Sequence, residues 1–307
     1  MSKVVIIGAG HVGSHCAEAL AQKGICREVV LLDRIPEKAA SQAMDVADSL
    51  SFASSPVTVR AGCDEDCKDA DIIVISIGEP RKPGQTRLDL LFDSAKMADD
   101  VIARLREQKP TGIVIVITNP VDVITEYIRK GLEMERWRCF GTGTLLDTAR
   151  LLRTISELTG VARSSIEALS LGEHGDSSMI SFSHLRIAGK PFDEWNISRE
   201  QILERTRNIG MDIINGKGST EFGIGNALAS LVKTILTDEK KLLPASVHLD
   251  GEYGQHDISC GVPCIIGKNG IESILTLPLT ADEQEQFDRS CGILKQHLAK
   301  ITTVESI

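Results

Sequence analysis

The sequence opens on a short β-branched run, Val4-Val5-Ile6-Ile7, that leads straight into Gly8-Ala9-Gly10-His11-Val12-Gly13. No other feature restricts the fold as much. With a strand before it and a helix after it, each glycine has a use. The first permits a tight turn, the second lets backbone N–H groups approach a pyrophosphate, and the third lets the helix lie close on the strand. The helix N-terminus then presents unpaired N–H groups and a partial positive charge to phosphates. GxGxxG spacing alone is weak, because an ordinary glycine turn with a helix cap also satisfies it. Here Asp33 closes a second apolar run, Val29–Leu32, near the ~20-residue offset that a dinucleotide site expects. Its carboxylate suits the adenosine ribose hydroxyls and repels a 2′-phosphate. NAD is therefore favoured over NADP, with Arg34 the one neighbour that would greet a phosphate.

The rest of the first half keeps the same alternation. Val4–Ile7, Val29–Leu32, Ile72–Ile77 and Ile113–Thr118 read as strands buried on both faces, and His11–Lys23, Pro36–Leu50 and Ser94–Lys109 as helices. Strand and helix in alternation predict an α/β fold, a Rossmann doubly wound parallel sheet. After Gly141-Thr142-Gly143 the pattern becomes α+β. A helix over Leu145–Leu158 precedes strand-like residues Met179–Ile187, and two helices follow, Ser198–Ile214 and Phe222–Leu236. Strand-like runs Ala245–Leu249 and Val262–Ile266 then lead to a last helix from Ala281 to about Ile301. We expect residues 1–142 to form an NAD-binding Rossmann domain and 143–307 an α+β substrate domain, the two sharing a cleft. A length of 307 residues fits two domains at roughly 150 residues each.

Composition removes several classes. With 42% hydrophobic and 25% charged residues the chain is neither disordered nor fibrous. A net charge of −9 argues against a nucleic-acid partner, which needs a basic surface. No apolar run reaches the ~18–20 residues of a membrane span, and Met1-Ser2-Lys3 lacks the form of a secretory signal. The eight cysteines are then expected to be reduced thiols in the cytoplasm. Cys63/Cys67 and Cys260/Cys264 share a CxxxC spacing, but zinc ribbons usually place two residues between such cysteines, so no metal is expected.

Chemistry concentrates in three places. Leu171-Gly172-Glu173-His174-Gly175-Asp176 sets a histidine between glycines, where close ligand approach is possible and imidazole suits reversible proton transfer. Asp147 and Arg150 lie three apart on a helix and share a face. They form either a plain ion pair or a carboxylate that orients the imidazole beside a guanidinium that clamps a substrate carboxylate. Gly78-Glu79-Pro80-Arg81-Lys82-Pro83-Gly84-Gln85-Thr86-Arg87-Leu88-Asp89 follows the Ile72–Ile77 strand at the sheet edge where such folds bind ligands. It reads equally as a solvated basic loop or a hinged lid.

Together the glycine turn, PRKPGQTRLDL, Thr118-Asn119-Pro120-Val121-Asp122, GTGTLLDTAR and LGEHGDSS closely resemble the lactate/malate dehydrogenase family, over essentially the whole chain. The resemblance implies reversible hydride transfer between NADH and a small 2-keto acid. It assigns acid–base catalysis to His174, its orientation to Asp147, carboxylate binding to Arg150 and carbonyl polarisation to Arg87. Asn119 and Thr220 join Arg81 in the substrate pocket. Cofactor contacts fall on Gly8, Gly10, His11, Val12, Gly13, Asp33, Gly78, Thr118, Asn119 and Ile224.

Substrate preference is divided. In the family, arginine at the Arg81 position goes with malate dehydrogenases and glutamine with lactate dehydrogenases. TRLDL, GEHGDSS and Thr220 resemble the lactate branch, and GTGTLLDTAR also resembles enzymes of bulkier L-2-hydroxy acids. Lactate-type activity is expected, with malate and 2-hydroxyisocaproate as alternatives. Where relatives that bind fructose 1,6-bisphosphate carry arginine and histidine, this chain has Leu152 and Glu167, so no activation by that sugar is expected. The resemblance also implies a homodimer or homotetramer, with the apolar face over Ala39–Ala47 available for it. Other classes fit less well. A non-catalytic NAD sensor would lose at least one of His174, Asp147, Arg150 or Arg87, and all are present. A Tyr-x-x-x-Lys reductase is excluded because Tyr127 and Tyr253 are followed four positions on by Gly131 and Asp257.

Overall fold

A computed structural model describes residues 2–53, 56–78 and 87–302. In the first half β1 (Lys3–Ile7), β2 (Glu28–Leu32), β3 (Thr58–Ala61), β4 (Ile72–Ile75), β5 (Ile113–Val116) and β6 (Cys139–Gly141) lie side by side in the order 3-2-1-4-5-6. All these pairings are parallel. Val4–Ile6, Ile72–Ile75 and Val114–Val116 are fully shielded from solvent. β-Branched side chains buried on both faces are what a parallel sheet covered by helices requires. Those helices are α1 (His11–Gln22), α2 (Pro36–Ser49), α3 (Arg87–Gln108) and α4 (Val121–Gly131). Pro36 starts α2, where its fixed φ and missing N–H cost nothing.

The second half begins with α5 (Leu145–Thr159), which stops at Gly160 in the left-handed region (φ +73°). Five strands of two residues each follow: β7 (Ile166–Glu167), β8 (Ser170–Leu171), β9 (Met179–Ile180), β10 (Arg186–Ile187) and β11 (Lys190–Pro191). Then come α6 (Arg199–Lys217), α7 (Phe222–Leu236), β12 (Lys241–Asp250), β13 (His256–Gly267), β14 (Gly270–Ile274) and α8 (Ala281–Thr302). β12, β13 and β14 form an antiparallel meander that joins β6 through Ser246 and Gly141. Among the described residues one nine-stranded sheet thus runs from β14 to β3. The two halves share this sheet.

Several elements differ from their expected form. β4 and β5 end at Ile75 and Val116, short of Ile77 and Thr118, because the chain turns off the sheet edge there. Ser76 still donates to the Ile7 carbonyl at 2.8 Å and Ile117 to that of Ile75 at 2.9 Å. The expected helix over Ser94–Lys109 begins earlier, at Arg87. The strand-like stretch Met179–Ile187 is broken by a 3-10 turn at Phe182–His184. α6 continues past Ile214 to Lys217, starting from Ser198, whose hydroxyl accepts the Gln201 N–H at 3.3 Å. β3, α4, β6 and β14 had no counterpart in the sequence reading.

Candidate active site

The carboxyl ends of the parallel strands gather the first group of residues. Gly8 follows β1, Gly78 follows β4, and Thr118 and Asn119 follow β5. These flank the point where the strand order reverses, between β1 and β4, which is where open α/β sheets leave a crevice. Gly8 has φ +105°, and a Cβ there would lie 2.2 Å from the Ser76 carbonyl oxygen. At Gly13 a Cβ would stand 1.9 Å from the Gly8 carbonyl oxygen, so both positions demand glycine. Gly10 caps α1, and a Cβ on it would meet only the Lys38 Nζ at 3.9 Å; at Gly78 it would meet nothing within 4 Å. The turn is therefore closed toward the sheet and open toward the crevice, a cradle fit for a pyrophosphate over the α1 N-terminus. His11 and Val12 form the first turn of α1 at its mouth. Asp33 accepts the Ala9 N–H at 2.8 Å and the Ile35 N–H at 3.0 Å, with Lys38 Nζ 3.6 Å away. Its carboxylate is thus held at the edge of the glycine turn.

The second group comes from beyond β6. α5 turns three faces to three uses: Leu145 enters the main core, Leu151 and Ile155 enter a second core with Ile180 and Leu185, and Asp147 and Arg150 point to the site. His174 Nδ1 lies 2.5 Å from Asp147 Oδ2, and Arg150 Nη1 3.5 Å from Asp147 Oδ1. Nδ1 is thereby occupied, so a ligand would meet the ring at Nε2. Burial pushes the His174 imidazole toward its neutral form, but the charge and hydrogen bond of Asp147, with the charge of Asp122, outweigh it and raise its pKa above 6.5. Burial works against the Asp147 carboxylate too, and the imidazole and Arg150 overcome it to hold the pKa below 3.8. Both shifts favour an ion pair.

α7 carries the second half onto the nucleotide turn. Gly225 packs on α1, where a Cβ would come 3.0 Å from the His15 carbonyl oxygen, and the adjoining Ile224 is partly buried against the main core. Thr220 precedes α7 and lines a cavity of about 230 Å³ with Arg150, Ile209, Ile213 and Lys217. The cavity adjoins the site on its Arg150 side. Gly210 of α6 lies against the guanidinium, and a Cβ there would be 3.3 Å from Nη1. Arg81 and the side chain of Arg87 lie outside the described residues.

The family model for the NAD-binding domain of lactate/malate dehydrogenases matches residues 2–141, and that for the family's α/β C-terminal domain matches residues 144–305. The chain belongs to the lactate/malate dehydrogenase family. It is 42% identical over 308 residues to L-lactate dehydrogenase 3 of Bacillus cereus, covering 97% of this chain and 98% of that protein. It is also 42% identical over 305 residues to L-lactate dehydrogenase of Fusobacterium nucleatum, with 96% of each chain covered. Among solved structures, the ligand-bound minor L-lactate dehydrogenase of Enterococcus mundtii superposes with a TM-score of 0.95 at 36% identity, over 98% of both chains. Family membership makes the chain an NAD-dependent oxidoreductase acting on the CH–OH group of 2-hydroxy acids.

Two residues beside the imidazole were not singled out from the sequence. Asp122 Oδ2 accepts the backbone N–H of His174 at 2.7 Å, and Ser290 Oγ accepts that of Glu173 at 2.8 Å. Asp122 carried a signal, since it closes the Thr118–Asp122 motif. Ser290 lies in a polar-faced helix and carried none. No group of histidine, cysteine, aspartate or glutamate among the described residues is arranged to hold a metal, and Cys260 and Cys264 are buried free thiols in β13. No described helix is long and apolar enough to cross a membrane.

Proposed function

We propose that this chain interconverts pyruvate and L-lactate, with His174 as its acid–base group. The observation that carries the reading is the 2.5 Å contact between His174 Nδ1 and Asp147 Oδ2, with Arg150 on the same carboxylate. When bound, NAD supplies or accepts the hydride at its nicotinamide ring. The protein moves the proton. In reduction, imidazolium donates from Nε2 to the carbonyl oxygen; in oxidation, the neutral ring takes the hydroxyl proton. Asp147 fixes the tautomer and favours the charged ring. Arg150 offers a planar fork to the substrate carboxylate, and Arg87 polarises the carbonyl. Asn119 and Thr220 complete the substrate wall. Gly8, Gly10, His11, Val12, Gly13, Asp33, Gly78, Thr118 and Ile224 serve the cofactor.

Arg81 sustains a second reading, oxaloacetate and L-malate. A guanidinium entering a closed, dry pocket needs a carboxylate partner that pyruvate's methyl group does not supply. The deciding assay follows NADH oxidation with pyruvate, oxaloacetate and 2-oxoisocaproate, each repeated with NADPH. Pyruvate as the best substrate supports the first reading and oxaloacetate the second. Arg81→Gln then shifts the ratio of the two kcat/KM values toward pyruvate; an unchanged ratio removes Arg81 from the substrate contact. Leu152 is half-buried against the second core and Glu167 is exposed on β7, a pair that offers nothing to a sugar bisphosphate. Pyruvate saturation curves are accordingly expected to ignore fructose 1,6-bisphosphate. We also place the enzyme in the cytoplasm as a homo-oligomer, supported by its eight free cysteines and by Met44 and Phe52 standing exposed on and just after α2.

A further inference from the structure

We infer that Asp122 is a positioning residue for His174: from the start of α4 its buried carboxylate fixes the main chain of the catalytic loop and sets a second negative charge, besides Asp147, beside the imidazole. The inference rests on the reading of His174 as the acid–base group.

The geometry is that of a clamp on two consecutive N–H groups. Asp122 holds the His174 N–H at 2.7 Å from α4. Ser290 holds the Glu173 N–H at 2.8 Å from α8. Ser290 reaches the loop because Gly172, at φ +86°, has no Cβ; one would lie 2.6 Å from the Ser290 hydroxyl. The two clamps differ in one property. Serine is neutral, while the aspartate is an acid only 2% exposed.

Asp122 is equipped poorly for a purely structural task. Among the described residues its other oxygen, Oδ1, has no hydrogen-bond partner, and neither has the buried Ser246 hydroxyl from β12. Ser246 lies close enough to moderate the carboxylate without meeting hydrogen-bond geometry. An unsatisfied buried acceptor is costly, and asparagine or serine would accept the same N–H without a buried charge. What the carboxylate adds is its field. The groups that act on it are Glu173 and His174 of the loop, Ser246 of β12 and Cys260 of β13, which itself contacts Cys291 of α8. Asp147 and Arg150 of α5 act on the imidazole, and the cation that acts on the Asp122 carboxylate is the His174 imidazolium.

Burial pushes the Asp122 carboxyl up to about 6, against the pull of Ser246 and of the His174 N–H. His174 is raised from 6.5 in part by the charge of Asp122. The two groups influence one another. Asp122 therefore contributes to imidazolium stability while ionised and withdraws that contribution when protonated.

The test is an NMR titration of the His174 imidazole in the full chain saturated with NAD+, for wild type, Asp122→Asn, Asp122→Ser and Ser290→Ala. Asparagine keeps the size and can pair with Ser246; serine sheds the charge in a smaller side chain if the amide is not accommodated. Both Asp122 variants are expected to lower the imidazole pKa, and Ser290→Ala to leave it in place. The limb of the kcat/KM profile for ketone reduction should move down with it. A wild-type imidazole pKa in the folded Asp122 variants overturns the proposal. So does an equal fall in Ser290→Ala, which would assign the effect to loop geometry. The titration needs no turnover. If the imidazole moves and the rate profile does not, the assignment of His174 as acid–base group has failed while the role of Asp122 toward it stands.

Discussion

An imidazole that must both give and take a proton is useful only where its two forms lie close in energy, and the surroundings of His174 adjust that balance. Burial disfavours the imidazolium, and Asp147 and Asp122 more than restore it. The sign of the pH dependence follows. Ketone reduction consumes imidazolium, so its rate holds above pH 6.5 and falls as pH rises through the raised pKa. Alcohol oxidation needs the neutral ring and gains over the same interval. Rate profiles in both directions check this, and two limbs of the same sign would refute it. The same raised pKa gives a stability contribution that is present below pH 6.5 while Asp147 and Asp122 stay ionised, weakens as Asp122 protonates near pH 6, and is lost as pH rises through the raised imidazole pKa. Arg150 poses a different problem. Its charge is partly met by Asp147 at 3.5 Å, so its value to a substrate lies in the planar fork. Arg150→Lys keeps the charge and loses the fork. We expect KM for the keto acid to rise about tenfold or more while the NADH dissociation constant stays the same. A matching loss of NADH affinity would mean that the whole site had collapsed.

At the scale of elements, the nucleotide turn shows why equally spaced glycines are not equivalent. Gly13 is closed in by the Gly8 carbonyl, whereas Gly10 faces the crevice. Gly13→Ala is therefore expected to cost about 2 kcal/mol of stability, as overpacking does, and to lower Tm of the ligand-free protein along with NADH affinity. Gly10→Ala should leave that Tm within a degree or so and weaken NADH alone, because its methyl group meets only the ligand. Thermal unfolding of the free protein beside a fluorescence titration with NADH separates the two, and a large Tm loss in Gly10→Ala would contradict the reading of the turn. This turn was legible from sequence because strand, glycines, helix and Asp33 all act locally. α4 was not. Val121-Asp122-Val123-Ile124-Thr125 is rich in β-branched residues with weak helix preference, and only packing of its buried face against β6, β12 and β13 makes it a helix. Glu126 on that face shows the same dependence. It is anchored by His248, Arg129 and Ser259, two of which lie over a hundred positions away. β7 and the clamp by Ser290 were hidden likewise, since their partners are supplied by other segments of chain.

Across the whole molecule, the line between halves that the change of pattern suggests near residue 142 is crossed by two continuous structures. The sheet passes from β6 to β12, and α5 places Leu145 in the main core and Leu151 and Ile155 in the second. The candidate site needs both crossings, because the glycine turn hangs on β1 while Asp147, Arg150 and His174 belong to the later half. Chains of this size often unfold through intermediates, but here the smaller core cannot separate without breaking α5 in its middle, beside Asp147. The two tryptophans report on the question from opposite sides. Trp137 packs on the main core, and its carbonyl accepts the Ile271 N–H at 3.0 Å where β14 joins the first half. Trp195 packs on the second core. In Trp137→Phe and Trp195→Phe variants, each left with one reporter, denaturant unfolding followed by fluorescence should give coincident midpoints once each variant's own stability change is set by far-UV circular dichroism. Saturating NADH, which binds only the folded form, should raise both midpoints together. A Trp195 transition that precedes the Trp137 transition, or one that NADH fails to move, would show the second core to be an independent unit and would break the argument that α5 ties catalysis to the stability of the whole chain.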